Sequence, residues 1–373
     1  MKVRSLFAGA YVKPLQDQTR AFLAVSALPA LCSSGLQVMA VVYTIAGFDL
    51  PTVTLFHMMR LGIVGFLIIP LSFWFLTFRS ARLLLSLMQL IGTLLFLAGP
   101  HSIVLTSLAC GLTSGPFWAF FSQRNATAMS TDNQGNDVAF LSYLQVIAIC
   151  LGTFLGGLFL KGDFYMQAVL ISSVGLWLST MLYVRKLPSD NRAAKAMAFI
   201  HFRRPANKLT LASAVLFSLS DNGLPTWMRI IGLSPLSAGT MLALRPLMGA
   251  LLTPLAGHLI NKGGLGAGQV GGLAAAIGWL IVALAPAHPW LLLPAIAFLT
   301  VSVSMIGPME LNRWFKRRAV PAIMAREWLL AFGRCVSFPT IIPVIFAAPA
   351  LFPFMGVAVG LGFVFGSKKK RRK

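Results

Sequence analysis

Charge is what this sequence has least of, and negative charge least of all. Asp, Glu, Lys and Arg together make up 11% of its 373 residues, less than half the roughly 25% of soluble globular domains. A chain of this length with so few charges has no means of covering itself with a water-facing surface, so an ordinary soluble fold is excluded. Cysteine is also scarce, at four residues. Cys32, Cys110, Cys150 and Cys335 all lie inside apolar runs without a C-x-x-C pair, which speaks against both a disulfide framework and a structural zinc site. The five histidines, His57, His101, His201, His258 and His288, are scattered without metal-ligand spacing. No G-x-x-x-x-G-K-[ST] is present, so ATP is not bound through a P-loop. The expectation is no metal and no cofactor.

What the sequence has in abundance is long apolar stretches, with 57% of residues hydrophobic. Runs such as Leu61 to Phe78 and Val138 to Leu160 approach or exceed the roughly 20 residues that cross a bilayer. Windows of about 19 residues place helices near 21–46, 52–78, 83–98, 102–121, 138–160, 164–184, 209–231, 238–260, 266–285, 291–309, 321–346 and 350–366. Twelve helices of about 20 residues use about 240, leaving about 130 for tails and short connections, without room for a folded soluble domain. Lys2, Arg4, Lys13 and Arg20 precede a first apolar stretch of about 26 residues, too long for the core of a cleaved signal peptide. The expected fold class is an all-α polytopic membrane protein with twelve transmembrane helices in two pseudo-symmetric six-helix halves.

The charges that do occur are placed asymmetrically. Lys2, Arg4, Lys13, Arg20, Arg79, Arg82, Arg124, the seven basic residues from Arg185 to Lys208, Lys262, Arg313, Lys316, Arg317, Arg318 and the six of the tail fall in the termini and even-numbered loops, 25 in all. The opposite loops hold only Lys161. That split follows the positive-inside rule and places both termini in the cytoplasm, with a bacterial cytoplasmic (inner) membrane as the expected location. The net charge of +22 therefore sits in loops facing anionic lipid headgroups rather than on a nucleic-acid surface, where aromatics would interleave with it. Lys368 to Lys373 follows directly on the last helix as a lipid-facing run, an orientation signal or an appended sequence.

The basic connection 185–208 divides the chain into an N-terminal half, 1–184, and a C-terminal half, 209–366, with a tail at 367–373. The halves look alike. Met58-Met59-Arg60-Leu61-Gly62-Ile63-Val64-Gly65 leads to Pro70-Leu71, and Ala243-Leu244-Arg245-Pro246-Leu247-Met248-Gly249 leads to Pro254-Leu255. Gly115-Pro116 pairs with Gly307-Pro308, at offsets of 185 and 192 residues. Six spans per half give repeats of the same orientation, related by an axis along the membrane normal.

This plan resembles the major facilitator superfamily of secondary transporters. The residues that carry the resemblance follow the eighth window: Gly257-His258-Leu259-Ile260-Asn261-Lys262-Gly263-Gly264 is similar to the family's Gly-x-Leu-x-Asp-Arg-x-Gly loop. Gly257, Leu259 and Gly264 match, while Asn261 and Lys262 replace its acid and arginine. The corresponding first-half loop, Leu76 to Arg82, keeps two basic residues and loses the glycines and the acid. The resemblance implies alternating access between two six-helix halves.

Ionisable groups inside apolar helices cost about 2.5–3.5 kcal/mol each on insertion scales, so each needs a partner or a task. Arg60, Asp221, Arg229, Arg245, Arg326, Glu327 and Arg334 qualify. Asp221 leads the candidates for solute or proton binding because it lies near the middle of its window and is followed by Asn222-Gly223-Leu224-Pro225, which should break or kink the helix. Arg60 and Arg245 hold matching repeat positions and, with Arg334, suit an anionic solute, since guanidinium binds carboxylate or phosphate in a bidentate manner; they equally suit structural pairing with Asp221 or Glu327. Arg326 with Glu327 reads as a boundary ion pair, and Arg229 as an arginine reaching the interface. The G-x-x-x-G pairs at Gly152/Gly156, Gly268/Gly272 and Gly356/Gly360 permit close helix crossings, within one chain rather than between copies.

The reading is a non-enzyme, a monomeric secondary transporter for a small anionic or zwitterionic solute, with proton coupling as an option and membrane lipids as its other contacts. A non-transporting component of a larger assembly and a membrane-embedded lipid-modifying enzyme remain open alternatives.

Overall fold

The computed structural model describes residues 27–62, 78–99, 102–113, 134–184, 205–261, 265–315 and 320–366. Among these residues there is helix and turn and no strand. The helices are α1 (Ala27–Ile45), α2 (Leu50–Gly62), α3 (Phe78–Ala98), α4 (Ile103–Thr113), α5 (Gln134–Lys161) and α6 (Tyr165–Val184). They continue with α7, formed by Pro205–Phe217, Ser218–Gly223 and Leu224–Ile230, then α8 (Pro235–Asn261), α9 (Leu265–Leu284), α10 (Leu292–Phe315), α11 (Val320–Ala347) and α12 (Phe352–Gly366). Most of α1, Ala30–Val42, is wound in the wider π form, as is Ser218–Gly223 of α7.

Helix falls in every expected window, and several helices outrun theirs. α3 starts at Phe78, α5 at Gln134 and α7 at Pro205, and α10 continues to Phe315. The apolar window marks where lipid contact would end, whereas backbone hydrogen bonding carries the helix on into polar sequence. Pro205–Lys208, expected at the end of the basic connection, is therefore the first turn of α7, where a proline at the first helical position loses no bond. Residues 185–204, the 367–373 tail, Lys262, Gly264, Gly115-Pro116 and the Ile63–Leu71 part of the repeat lie outside the described residues.

The surface reverses that of a water-soluble protein. On α3, Leu83, Leu87, Leu90, Leu94 and Leu97 form one exposed stripe at helical spacing, while Gln89 is buried. Ser172, Ser173, Thr210, Ser213, Ser218 and Glu310 are buried as well. Polar groups inside and leucines outside are the arrangement that suits a hydrocarbon solvent. On length and composition alone, Ala27–Ile45, Gly266–Leu284, Pro289–Trp314 and Ala325–Ala347 are long and apolar enough to cross a membrane.

One end of the bundle is made of tight turns, between α1 and α2, α5 and α6, α7 and α8, α9 and α10, and α11 and α12. Asp49 caps α2. Its carbonyl takes the Val53 N–H at 3.0 Å, and its side chain accepts from Thr52, which holds the exposed carboxyl below its ordinary range. α7 closes on Gly232 at φ 84°, with Gly232 N–H on the Arg229 carbonyl at 3.1 Å and Leu233 N–H on the Met228 carbonyl at 3.0 Å, a Schellman ending that needs glycine's left-handed freedom. The Leu233 carbonyl then accepts the Tyr43 hydroxyl of α1.

Close crossings use the glycines within this one chain. A Cβ on Gly152 would stand 2.8 Å from Gly35 Cα, joining α5 to α1, and one on Gly239 would stand 3.0 Å from Gly157 Cα, joining α8 to α5. A Cβ on Gly360 would stand 2.7 Å from the Gly272 carbonyl oxygen, joining α12 to α9. α5 packs along α8 and α2 along α11, bringing the first six helices against the last six.

Candidate functional site

Arg60 lies roughly ten residues into α2, Arg245 roughly ten into α8, and Asp221 roughly nine back from the end of α7, each counted from the tight-turn end. At 1.5 Å per residue all three sit about 14–15 Å deep, half of a hydrocarbon core about 30 Å thick.

The local sequence of α7 explains how Asp221 and Arg245 meet. Leu224 N–H reaches back five residues to the Leu219 carbonyl, and Pro225 has no N–H to offer Ser220. The Ser220 carbonyl is thus left for a side chain, and Arg245 Nη1 donates to it at 3.0 Å. The same nitrogen lies 3.3 Å from Asp221 Oδ1. The expected break or kink at Asn222-Gly223-Leu224-Pro225 takes the form of a widened turn: Phe217, Gly223 and Leu224 keep right-handed helical angles, so the chain stays helical while the proline is absorbed beside the π segment. Within the Asp221–Arg245 pair the exposure is unequal, 43% for the carboxylate side chain and 11% for the guanidinium, so the acid faces open space while the arginine is fixed behind it.

Arg60 is held differently. Its Nη2 donates to Asn222 Oδ1 at 2.6 Å, from α2 to α7, and its Cζ lies 5.6 Å from the Phe56 ring centroid. Arg334, near the middle of α11, lies 5.8 Å from the Phe217 ring, and its buried Nε has no hydrogen-bond partner among the described residues. Among the described residues neither Arg60 nor Arg334 forms a salt bridge. Ser337, one turn beyond Arg334, donates to Ser218 Oγ at 3.0 Å and ties α11 to the widened turn of α7.

The repeat match thus resolves into unlike environments. Arg245 has an acid and a carbonyl, whereas Arg60 has one neutral amide oxygen and Arg334 an aromatic face.

A second buried polar group lies toward the opposite end of the bundle. Arg326 of α11 donates through Nε to Glu310 Oε1 and Oε2 at 3.1 and 2.9 Å and through Nη2 to Oε2 at 2.7 Å. Its Nη1 donates to Glu327 Oε1. Thr210 of α7 donates to Glu310 Oε1 at 2.8 Å, and Trp314 Nε1 donates to Thr210 Oγ1 at 2.8 Å. Glu327 is therefore committed to an arginine two helical turns from Arg334, in a group built from α7, α10 and α11. Arg229 is exposed, with its Cζ 5.4 Å from the Tyr43 ring. Of the loop motif, Gly257 is buried, Leu259 packs on Ala256, Ala267, Met305 and Met309, and Asn261 is the last residue of α8. Among the described residues no three of His, Cys, Asp and Glu gather as a metal would require.

Three contributors carry no sequence signal of the kind used above. Glu310 falls one residue past the expected end of its helix, Asn222 reads as part of a helix breaker, and His57 reads as one of five scattered histidines.

No family model and no curated protein sequence matches the chain. Solved structures do. The chain is similar to the human organic anion transporter TETRAN, with 14% identity and a TM-score of 0.69 over 94% of this chain and 100% of that one. It is similar to an auto-inhibited peptide transporter of the POT family, with 13% identity and a TM-score of 0.67 over 94% and 95%. The Escherichia coli fucose:proton symporter matches with 14% identity and a TM-score of 0.62 over 94% and 98%. The fold is that of major facilitator transporters, as the loop resemblance implies.

Proposed function

We propose that the chain is a divergent major facilitator that carries a small solute bearing an anionic group by alternating access. It crosses the membrane twelve times, as halves 1–184 and 209–366 joined by the basic connection. Both termini and the basic loops are cytoplasmic, against anionic lipid, and the tight-turn end is outside. The repeat is supported by the packing, because advancing six helices turns the α2–α11 pair into α8–α5. Rocking about these two seams exposes the mid-depth site to each side in turn.

The observation that carries the anionic reading is the state of Arg60 and Arg334. One guanidinium from each half is set deep in the bundle without a carboxylate among the described residues, and a solute carboxylate or phosphate supplies the missing partner through paired charge-assisted bonds. Asp221, with its exposed side chain, is available for the cationic part of a zwitterion or for a proton that releases Arg245. A lipid-modifying enzyme or a silent membrane subunit would have no use for two such arginines at this depth.

Purified protein in liposomes, offered a panel of organic anions and zwitterions with and without a pH gradient, tests the reading. Uptake of an anionic member is expected, with Arg334→Gln lowering apparent affinity about 10- to 100-fold, the equivalent of a charge-assisted bond of about 1.5–3 kcal/mol. Asp221→Asn is expected to abolish the response to the pH gradient while the protein still folds. Uptake indifferent to Arg60→Gln and Arg334→Gln would remove the arginines from the site.

A further inference from the structure

His57 is fully buried, and among the described residues neither Nδ1 nor Nε2 has a hydrogen-bond partner. Its ring lies flat on Phe338, with centroids 4.4 Å apart and planes at 10°, and edge-on to Phe56 at 5.1 Å and 76°. His57 belongs to α2 and Phe338 to α11, so the stack bridges the seam between the first six helices and the last six. Arg60 and Arg334 follow one turn deeper on the same two antiparallel helices. The His57–Phe338 layer is thus a dry cover over the two arginines.

Packing alone does not explain an imidazole here. Phenylalanine would fill the stack without leaving a donor and an acceptor unmade in a dry site. Among the described residues the charged group acting on the ring is Arg60 on its own helix, and Arg60 in turn interacts with Arg334 on α11, Asp221 on α7 and the Cys110 thiol on α4, Asp221 being paired with Arg245 of α8. Among the described residues the only acid in this set, Asp221, is already held by Arg245, and none forms an ion pair with His57. With the seam together, an imidazolium would be buried beside cations with both N–H groups unanswered. With the seam parted, water meets both nitrogens and the ring takes up a proton at mildly acidic pH.

We propose that His57 is a proton-binding site occupied only when α2 and α11 part, so that acid on the tight-turn side draws the seam open above the arginine layer. This rests on the alternating-access reading. The coupling is reciprocal, because a ligand that binds only the parted form shifts the population toward it. His57 does not need to touch the solute. It is a positioning residue for the gate.

The test is a distance across the seam as a function of pH, without solute. Nitroxides are placed at Leu55→Cys on α2 and Val336→Cys on α11, both exposed, in full-length protein in nanodiscs with Cys32, Cys110, Cys150 and Cys335 replaced by alanine. Pulsed electron resonance is expected to show the ratio of long to short distances rising by up to about tenfold per pH unit somewhere between pH 7.5 and 5.5, the limit for one proton. His57→Phe, which keeps the stack, is expected to hold the ratio within about twofold over that range, as is His57→Gln. A native response in both His57 variants, or none in the parent protein, overturns the proposal. If the cysteine-free background fails to fold, amide exchange of Leu50–Gly62 in the native chain and in His57→Phe reads the same opening, with the same two outcomes. The distances do not depend on solute, so a carrier that transports nothing tested still decides the matter. Uptake with a seam blind to pH refutes the histidine site and leaves the transporter standing.

Discussion

Arg60 and Asn222 are joined by a 2.6 Å hydrogen bond that runs from α2 into the widened turn of α7. An amide oxygen satisfies one guanidinium N–H without neutralising the charge, which leaves the rest of the fork for an anion. Asn222→Asp would supply a carboxylate in nearly the same place. The expected result is a protein with a higher unfolding temperature and at least tenfold weaker uptake of the anionic solute, because a tethered acid competes for the site with no cost of association. Uptake equal to the parent, measured over a solute titration, would mean that the free side of Arg60 does not face the solute.

The Glu310–Arg326–Glu327 group is expected to act on stability and not on solute choice. Glu310 is fully buried and makes the two-pronged contact. Glu310→Gln removes the main counter-charge of a buried arginine, a class of change that costs about 3–5 kcal/mol, whereas replacing the whole group with apolar residues of similar size is close to neutral. Thermal unfolding in detergent should therefore show a large fall for Glu310→Gln. It should show substantial recovery for Glu310→Leu, Arg326→Met and Glu327→Leu together. Solute preference should stay the same in whatever protein remains folded.

These two groups also mark how far the sequence could be read. Apolar windows located the helices because the cost of unpaired backbone in lipid leaves little other choice, and the mid-depth positions of Asp221, Arg60 and Arg245 follow from counting residues within them. Partners did not follow. Asn222 meets Arg60 across 162 residues, and His57 meets Phe338 only through the α2–α11 crossing, which no local period encodes. Arg60 and Arg245 look equivalent in the repeat, yet Pro225 has no counterpart in α1, and it is this proline that leaves the Ser220 carbonyl to Arg245. Glu310 was missed because hydropathy falls at the end of its window while the helix runs on to Phe315, carrying the acid inward against Arg326.

Pro225 ties the stability of α7 to the placement of Arg245. It withholds the N–H that Ser220 lacks, and Arg245 Nη1 answers the Ser220 carbonyl at 3.0 Å. Pro225→Ala returns the donor and removes an interior proline, worth about 3 kcal/mol in a helix before tertiary packing is counted. The widened turn is then free to relax to ordinary α geometry, which rotates Asp221 and Asn222 relative to the helix behind them, since an α turn holds fewer residues than a π turn. Two measurements should move in opposite directions: the unfolding temperature up, and the rate of uptake at saturating solute down by tenfold or more, because both the Arg245 anchor and the Asn222 contact to Arg60 shift at once. If uptake instead survives in a more stable Pro225→Ala protein, the widened turn is an accommodation of the proline and not a device that sets the site.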